Sequence, residues 1–243
     1  MNITIECMSV EVTRECNMKC RHCMRGDAQN KTLNLDVWEK LCKNINRIDD
    51  LNLTGGEPSL RPEIIMQMLE IAKKEHVSVG SIYVVTNAKK ITTDFIMAMA
   101  AWFAYTYECD EYTAKEMNSI AVSYDCYHEE IKQSEVNKIK IFDCFNDKSH
   151  NRGKSETILV QAKGRATEYV NPKYTLVTDR HKPRISCSEE EIYIYDQSIS
   201  MTVDGNILTD CDYAYDDCDD IFVANVNDKM WRKRLIAACE KDD

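Results

Sequence analysis

Glycine and proline are scarce in this chain, whose 243 residues include seven glycines and four prolines. This composition, with 44% hydrophobic and 30% charged residues, excludes collagen-like and low-complexity chains and is typical of an ordinary globular protein. Long hydrophobic runs are also missing. The longest, residues 96–105, is half of the roughly 20 residues that a membrane-spanning helix needs, so we expect no membrane partner.

Positive charge is in short supply, since 31 Lys and Arg stand against 41 Asp and Glu and the formal net charge is −10. The acidic residues are concentrated in the last third of the chain. A surface of this sign repels a phosphate backbone, so we expect no nucleic-acid partner and a better fit to a neutral or basic substrate such as a peptide. Residues 1–12 lack the basic start of a secretory signal peptide, which predicts a cytoplasmic protein.

Cysteine, by contrast, is abundant, with 12 in the chain. In a reducing compartment these residues stay thiols that are available to metals or to catalysis. Three of them, Cys16, Cys20 and Cys23, form a C-x3-C-x2-C motif directly after the first strand-like segment. Three thiolates suit an iron–sulfur cluster. A four-iron cluster held by three thiolates keeps one iron open for an additional ligand.

The cysteine motif has two other interpretations. Cysteines at this spacing can form one buried face of a helix, because a free cysteine behaves as a small hydrophobe, but Arg14, Lys19 and Arg21 make poor core neighbours. A structural zinc site is the second alternative, but it usually needs a fourth ligand nearby. The spacing therefore favours an iron–sulfur cluster over both.

A second motif, Gly55-Gly56-Glu57-Pro58, directly follows the strand-like residues 50–54. Two adjacent glycines at a strand end let the backbone approach a ligand closely, and Glu57 offers a carboxylate to a cationic amine. The alternative interpretation is an ordinary turn before the next helix. Taken alone, that plain turn is the better explanation.

The first two thirds of the chain alternate Ile- and Val-rich segments with helix-like segments, which predicts βαβ units and a parallel sheet. The strand-like segments are residues 3–13, 50–54, 81–86, 120–124 and 157–161. The helix-like segments are residues 36–47, 62–74, 93–105 and 129–145. Asn34 and either Thr92 or Thr93 are predicted N-caps. Beyond residue 166 the pattern changes to short strands, a hairpin at Asp204-Gly205-Asn206 and a helix over residues 228–239,.

Together the two motifs resemble those of the radical SAM superfamily, in which S-adenosylmethionine (SAM) binds to a [4Fe-4S] cluster. Each motif follows the strand at whose end the resemblance requires it. The resemblance covers roughly residues 1–170 and is most specific in the first 60. Further elements that match it are Thr86-Asn87, Ser123-Tyr124-Asp125 and Gly164-Arg165-Ala166.

The resemblance implies an α/β fold, a partial (β/α)6 barrel over residues 1–170, with the cofactors at the carboxyl ends of the strands. It implies that Cys16, Cys20 and Cys23 bind three irons and that SAM chelates the fourth. Residues implied to contact SAM are Gly55, Gly56, Glu57 and Pro58 at its amino group, His22 at its adenine, Asn87, Ser123 and Asp125 at its ribose or methionine end, and Arg165 at its carboxylate. Ordinary loop or surface positions are the alternative for His22 and Arg165.

Residues 171–243 are expected to form a small hairpin-and-helix appendage that resembles a short SPASM/Twitch segment, which binds auxiliary iron–sulfur clusters. The cysteines implied as ligands of a second cluster are Cys187, Cys211, Cys218 and Cys239,. The full C-x2-C-x5-C run of such segments is absent. A degenerate hairpin with free thiols is the alternative.

The implied activity is the reductive cleavage of SAM by an external one-electron reductant, followed by hydrogen abstraction from a substrate. The SPASM/Twitch resemblance favours a peptide substrate. Alternatives are a radical SAM enzyme for small molecules or nucleoside precursors, a glycyl-radical activating enzyme, and an iron–sulfur sensor without turnover.

Overall fold

A single strand, β1 (Asn2–Thr13), lies at the centre of the sheet in the computed structural model. The structure describes residues 2–125, 127–146, 151–153, 161–169 and 181–241. From Met8 to Thr13 every side chain of β1 is buried, as expected for a parallel strand that is covered on both faces.

On one side of β1 the sheet is entirely parallel. Its strands follow in chain order as β2 (Arg47–Gly55), β3 (Ser78–Thr86), β4 (Ser119–Val122) and β6 (Phe145–Asn146). The helices between them are α1 (Leu35–Cys42), α2 (Pro62–Lys74), α3 (Thr93–Cys109), α4 (Glu111–Met117) and α5 (Gln133–Ile139). Because every strand runs the same way, their carboxyl ends meet at one edge of the sheet.

On its other side β1 pairs with strands from the end of the chain. β9 (Glu191–Tyr195) lies parallel to the first half of β1 and β10 (Ile199–Met201) parallel to its second half. The hairpin predicted at Gly205 is confirmed. The remaining elements are β5 (Tyr124–Asp125), β7 (Asn151–Gly153), α6 (Ala166–Tyr169), β8 (Arg184–Cys187), β11 (Asn206–Leu208), β12 (Phe222–Asn225), α7 (Trp231–Ala238) and β13 (Glu240–Lys241).

Two buried tryptophans connect the helices that cover the sheet. The Trp38 indole donates to the Met68 carbonyl at 3.0 Å, and the Trp102 indole donates to the Ile65 carbonyl at 2.9 Å. Each indole fills the core while its N–H is satisfied by the backbone of α2. The helix packing therefore holds the loops at the carboxyl edge in fixed positions.

The open, mixed α/β sheet confirms the predicted partial barrel. Asn34 and Thr92 cap α1 and α3 as predicted, with their side chains accepting from backbone N–H groups. The predicted helix over residues 129–145 is wrong at both ends. The Glu129 carboxylate accepts from the Lys19 N–H at 3.1 Å and pairs with Lys89. This part of the chain therefore contacts the loop that carries the motif cysteines before α5 begins.

Two further sequence expectations have different outcomes. Sequence reasoning missed α4, which begins because Asp110 ends α3 and accepts a hydrogen bond from the Thr113 N–H at 3.1 Å. The predicted strand over residues 157–161 lies outside the described residues except for its last position. The domain boundary at residue 170 stays a prediction, since residues 170–180 also lie outside them.

A chain that ends at residue 180 tests whether the appendage is an independent unit. We expect this fragment to aggregate, because it leaves one edge of β1 unpaired along buried residues such as Ile3, Ile5 and Met8,. Light scattering and circular dichroism of the fragment beside the full chain measure the effect. A soluble fragment that unfolds cooperatively would contradict the expectation.

Candidate active site

The three motif cysteines lie in the loop that follows β1, at the carboxyl edge of the sheet. The loop turns tightly, with the Cys23 N–H donating to the Cys20 carbonyl at 3.3 Å and the Gly26 N–H donating to the Cys23 carbonyl at 3.3 Å. Burial, together with the nearby thiols of Cys16 and Cys23, raises the pKa of the Cys20 thiol to about 12. The three thiols are therefore close enough to interact electrostatically.

The first glycine of the second motif is required by a contact between two strand ends. Gly55 has φ of +129°, which favours glycine, and a Cβ there would lie 2.1 Å from the Thr13 carbonyl oxygen. The Gly56 N–H donates to that same oxygen at 2.7 Å. The end of β2 therefore packs directly on the end of β1.

The second glycine extends this contact into the cysteine loop. A Cβ at Gly56 would lie 2.2 Å from the Glu15 carbonyl oxygen, which accepts from the Glu57 N–H at 2.8 Å. The two glycines were expected to admit a ligand, but their closest neighbours here are the backbone of β1 and of the loop after it. They hold the beginning of the cysteine loop in place.

The Glu57 carboxylate is buried and binds three protein donors. It accepts from the Ser59 N–H at 3.1 Å, from the Thr86 hydroxyl at 2.6 Å and from the Asn87 N–H at 2.7 Å. Burial raises the pKa of Glu57, and these hydrogen bonds oppose the rise. The carboxylate thus joins the ends of β2 and β3. Contact of Glu57 with the SAM amino group stays a prediction.

One cavity of about 370 Å³ brings most of the predicted residues together. A volume of this size lies within the range of small-molecule sites. It is lined by Cys16, Cys20, His22, Cys23, Gly55, Gly56, Glu57, Pro58, Asn87 and Ser123. The Asn87 amide donates to the Asn17 side chain at 2.8 Å and lies 3.8 Å from Cys16 Sγ.

A Ser–His–Asp hydrogen-bonded series lies at one wall of the cavity. Ser123 Oγ lies 2.9 Å from His128 Nε2, and His128 Nδ1 lies 2.7 Å from an Asp125 carboxylate oxygen. His22 Nε2 lies 3.4 Å from the other Asp125 oxygen. Sequence reasoning missed His128, because its role depends on the turn after β5 and no motif marks it.

The Asp125 carboxylate holds both histidines. Burial raises the pKa of Asp125, but the hydrogen bond from His128, the nearby His22 and the Tyr127 N–H together lower it by more. The net shift of the pKa is therefore downward. The ionised Asp125 stabilises the folded protein fully above pH 3.9, which is about the pKa of an Asp carboxyl in the unfolded chain. This stabilisation is lost as the pH falls through the lowered pKa of the folded protein. Asp125 therefore stays ionised at neutral pH and orients His22 toward the cavity.

The tail reaches the same cavity through a buried network that sequence reasoning also missed. The Tyr213 hydroxyl donates to the Glu11 carboxylate at 2.7 Å, and Arg14 Nε donates to it at 2.9 Å. The Arg25 guanidinium stacks over the Tyr213 ring at 3.9 Å and donates to the Tyr213 carbonyl at 3.0 Å. The network holds Cys211 and the adjacent Asp212, both of which line the cavity, against the cysteine loop.

The four tail cysteines lie at opposite ends of the sheet. Cys187 is opposite Ile192, which is opposite Ile3 near the start of β1, and Cys239 is a close neighbour of Cys187. Cys211 lies instead at the carboxyl edge, where it lines the cavity with Cys16, Cys20 and Cys23.

The remaining tail cysteine, Cys218, packs near Tyr213 and Ile221 on the side of Cys211. A single cluster needs all of its ligands around one point. The arrangement therefore does not fit the predicted auxiliary cluster on Cys187, Cys211, Cys218 and Cys239.

The residues present fit a [4Fe-4S] cluster beside the cavity. A second, smaller cavity of about 40 Å³ is lined by the same three cysteines and by Arg14, Arg25 and Arg165. Cationic side chains suit the negative charge that three thiolates bring to a cluster. The buried Arg165 Nε has no hydrogen-bond partner among the described residues. Its N–H is therefore available to donate a hydrogen bond to a bound cofactor.

Comparison with known proteins identifies the family. The protein-family model described as "Radical SAM superfamily" matches residues 10–138, which are more than half of the chain. The chain therefore belongs to that superfamily. The family implies a [4Fe-4S] cluster and SAM as cofactors. Of the described helices, none combines the length and the apolar character needed to cross a bilayer.

Two curated relatives match part of the chain. GTP 3',8-cyclase of Chlorobaculum tepidum is 36% identical over 74 residues, which are 29% of this chain and 22% of the relative. Mycofactocin maturase MftC of Mycobacterium tuberculosis is 31% identical over 103 residues, 39% of this chain and 24% of the relative. The matches thus span less than a quarter of each relative's length.

A solved structure resembles the whole fold. Native anSMEcpe with bound AdoMet and Cp18Cys peptide superposes with a TM-score of 0.50 at 12% identity, covering 97% of this chain and 80% of that one. At this identity the likeness concerns the fold alone.

Replacing Glu57 by Gln tests its role as the connection between β2 and β3. The amide of Gln cannot accept all three hydrogen bonds, so we expect a loss of about 1–3 kcal/mol in the free energy of unfolding. Urea denaturation at neutral pH gives this value. The control is Glu63→Gln on the exposed first turn of α2, where a change within about 0.5 kcal/mol is expected. Equal effects in both variants would contradict the assignment.

Proposed function

We propose that this protein is a radical SAM enzyme that cleaves SAM reductively and abstracts a hydrogen atom from a peptide. The observation that carries the proposal is the cavity of about 370 Å³. It joins the three cysteines of the cluster motif to the glycine motif and to the predicted SAM residues Asn87 and Ser123, which follow two further strands. A pocket lined by residues from several strand ends is where parallel α/β folds bind their ligands.

Different residues of the chain would bind the cluster and the separate parts of SAM. Cys16, Cys20 and Cys23 would hold the cluster, and the backbone of Gly55 and Gly56 would border the bound SAM. His22, oriented by Asp125, would lie against the adenine, and Ser123 and Asn87 against the ribose or methionine end. When bound, the cluster supplies the electron from an external reductant that splits the SAM carbon–sulfur bond into methionine and a 5'-deoxyadenosyl radical.

The protein's further task is to exclude water and other reactants from the radical. The network of Glu11, Tyr213 and Arg25 closes one side of the site, because it fixes residues 211–215 against the cysteine loop. Cys211 and Asp212 line the cavity on the side of the tail. A substrate would enter beside these two tail residues.

A basic peptide suits this entrance better than a polyanion. Asp210, Asp212, Asp216 and Asp217 cluster in the segment beside it, and the chain carries a net charge of −10,. The similarity to a mycofactocin maturase supports a peptide substrate. The similarity to GTP 3',8-cyclase favours a nucleotide as the second candidate, although a triphosphate would meet these carboxylates.

We further propose that the protein holds one cluster. The tail cysteines are divided between the two ends of the sheet, whereas the three motif cysteines influence one another's ionisation. About four irons per chain follow from this proposal, and about eight would follow from an auxiliary cluster.

Anaerobic reconstitution with iron and sulfide tests the proposed chemistry. We expect about four irons per chain and formation of 5'-deoxyadenosine when the protein is reduced in the presence of SAM, measured by chromatography. Cys20→Ala should lose both, because a thiolate ligand of the cluster is gone.

The matched control for this experiment is Cys187→Ala, at the exposed end of β8, which should lose neither. A fall in iron content with Cys187→Ala would support an auxiliary cluster instead. An intact cluster that leaves SAM uncleaved under strong reductant would leave only a sensor role.

Charge selection at the entrance tests the substrate class. We expect 5'-deoxyadenosine to form about fivefold faster with a Lys-rich peptide pool than with a Glu-rich pool, as one ion pair near the surface contributes about 1 kcal/mol. Asp212→Asn should reduce this ratio, and Glu63→Gln should not. Acceleration by GTP but by neither pool would favour the nucleotide candidate. Radical transfer to a glycine of a partner protein, seen by electron paramagnetic resonance, would favour an activating enzyme.

A further inference from the structure

Three guanidinium groups line the small cavity that holds the motif cysteines. Two of them belong to the network that joins the tail to the cysteine loop. Arg14 is paired with Glu11 at 2.9 Å and lies over the Tyr215 ring at 4.5 Å. Arg25 donates to the Tyr213 carbonyl and stacks on its ring. Arg165 is bound differently.

Arg165 is fixed to the cysteine loop through its backbone. Its N–H donates to the Cys23 carbonyl at 3.0 Å. The preceding Gly164 has φ of +52°, and a Cβ there would lie 2.5 Å from the Gly26 nitrogen and the Met24 oxygen. Only a glycine allows this approach, so the Gly164-Arg165 pair is held directly against the loop.

One buried donor of the Arg165 side chain has no hydrogen-bond partner among the described residues. Arg165 Nη1 lies 3.2 Å from the Asp27 carboxylate, which is 90% exposed. Its Nε is buried and finds no acceptor in the described part of the chain. An N–H that is buried without an acceptor costs on the order of 1–3 kcal/mol. A donor kept in this position points to an acceptor that the cofactor supplies.

The position of Arg165 distinguishes between the two cofactors. Arg165 lines the small cavity together with all three cysteines, but it is not among the described residues that line the larger cavity with Gly55, Glu57 and Ser123. The guanidinium therefore faces the cluster side rather than the predicted SAM side.

We propose that Arg165 donates its Nε–H to a sulfur atom of the cluster and raises the cluster's reduction potential, instead of pairing with the SAM carboxylate. Reduction adds a negative charge to the cluster, and a fixed cation with a hydrogen bond to sulfur stabilises that charge. Arg165 is in this role a positioning and tuning residue. The inference rests on the cluster alone and is independent of the peptide substrate proposed above.

Redox titration of the reconstituted protein, followed by electron paramagnetic resonance without SAM or substrate, tests the inference. We expect Arg165→Gln to lower the midpoint potential so that the ratio of reduced to oxidised cluster falls about tenfold at a fixed potential, or about 59 mV for one electron. Arg165→Lys, which keeps the charge and loses Nε, should shift it less. Arg47→Gln, an ion-paired arginine at the far end of β2, should leave the potential unchanged.

A second measurement uses the wild-type protein and addresses the hydrogen bond itself. With arginine labelled with nitrogen-15, pulsed electron paramagnetic resonance of the reduced cluster should show a nitrogen coupling that Arg165→Lys removes. This measurement tests the hydrogen bond even if the Arg165→Gln variant does not assemble a cluster.

Two outcomes would overturn the proposal. In the first, Arg165→Gln weakens SAM binding but leaves the midpoint potential, measured in the absence of SAM, unchanged. This result would indicate that Arg165 pairs with the SAM carboxylate. In the second, the nitrogen coupling is absent in the wild type or persists in Arg165→Lys. Failure of the radical chemistry would appear instead as loss of 5'-deoxyadenosine at an unchanged potential.

Discussion

The backbone contact between the ends of β1 and β2 is the constraint on which the rest of the site depends. The Gly56 N–H bonds to the Thr13 carbonyl and the Glu57 N–H to the Glu15 carbonyl, at distances that leave no room for a Cβ at either glycine. The contact fixes where the cysteine loop leaves the sheet. It also places Glu57 so that its carboxylate can reach the end of β3. Three consecutive strand ends are thereby tied together before any cofactor is bound.

Several acidic groups buried at the carboxyl edge are satisfied by the protein itself. Glu57 has three donors, Glu11 accepts from Arg14, Tyr213 and the Val203 N–H, and Asp125 holds His128. Such networks are rigid when complete, because breaking any one bond leaves a buried group unpaired. A rigid wall suits radical chemistry, in which the protein must position reactants and exclude water. Arg165 Nε and the Tyr215 hydroxyl, which belong to residues that line the small cavity, have no hydrogen-bond partner in the described part of the chain.

The tail contributes to the site through side-chain packing. β9 and β10 complete the sheet beside β1, and the stacking of Arg25 on Tyr213 holds the following loop over the cavity. A cation on an aromatic face is favourable when desolvated, so this contact can close one side of the site without a second cluster. Cys187 and Cys239 lie too far from that loop to take part.

The amino-acid sequence by itself determined the family, the parallel βαβ order, the two capped helices and the place of the three-cysteine motif directly after β1. These features depend on local pattern: hydrophobic periodicity, capping side chains and short motifs at strand ends. Tertiary structure alone decided that Glu57 binds Thr86 and Asn87, that His128 joins Asp125, that Tyr213 reaches Glu11, and that the tail cysteines separate. The contacts of Glu57 and Tyr213, like the separation of the tail cysteines, join positions tens to hundreds of residues apart. The bond of His128 is local, but it depends on a turn that no motif marks. The strand register that brings distant residues together is set by packing across the whole sheet.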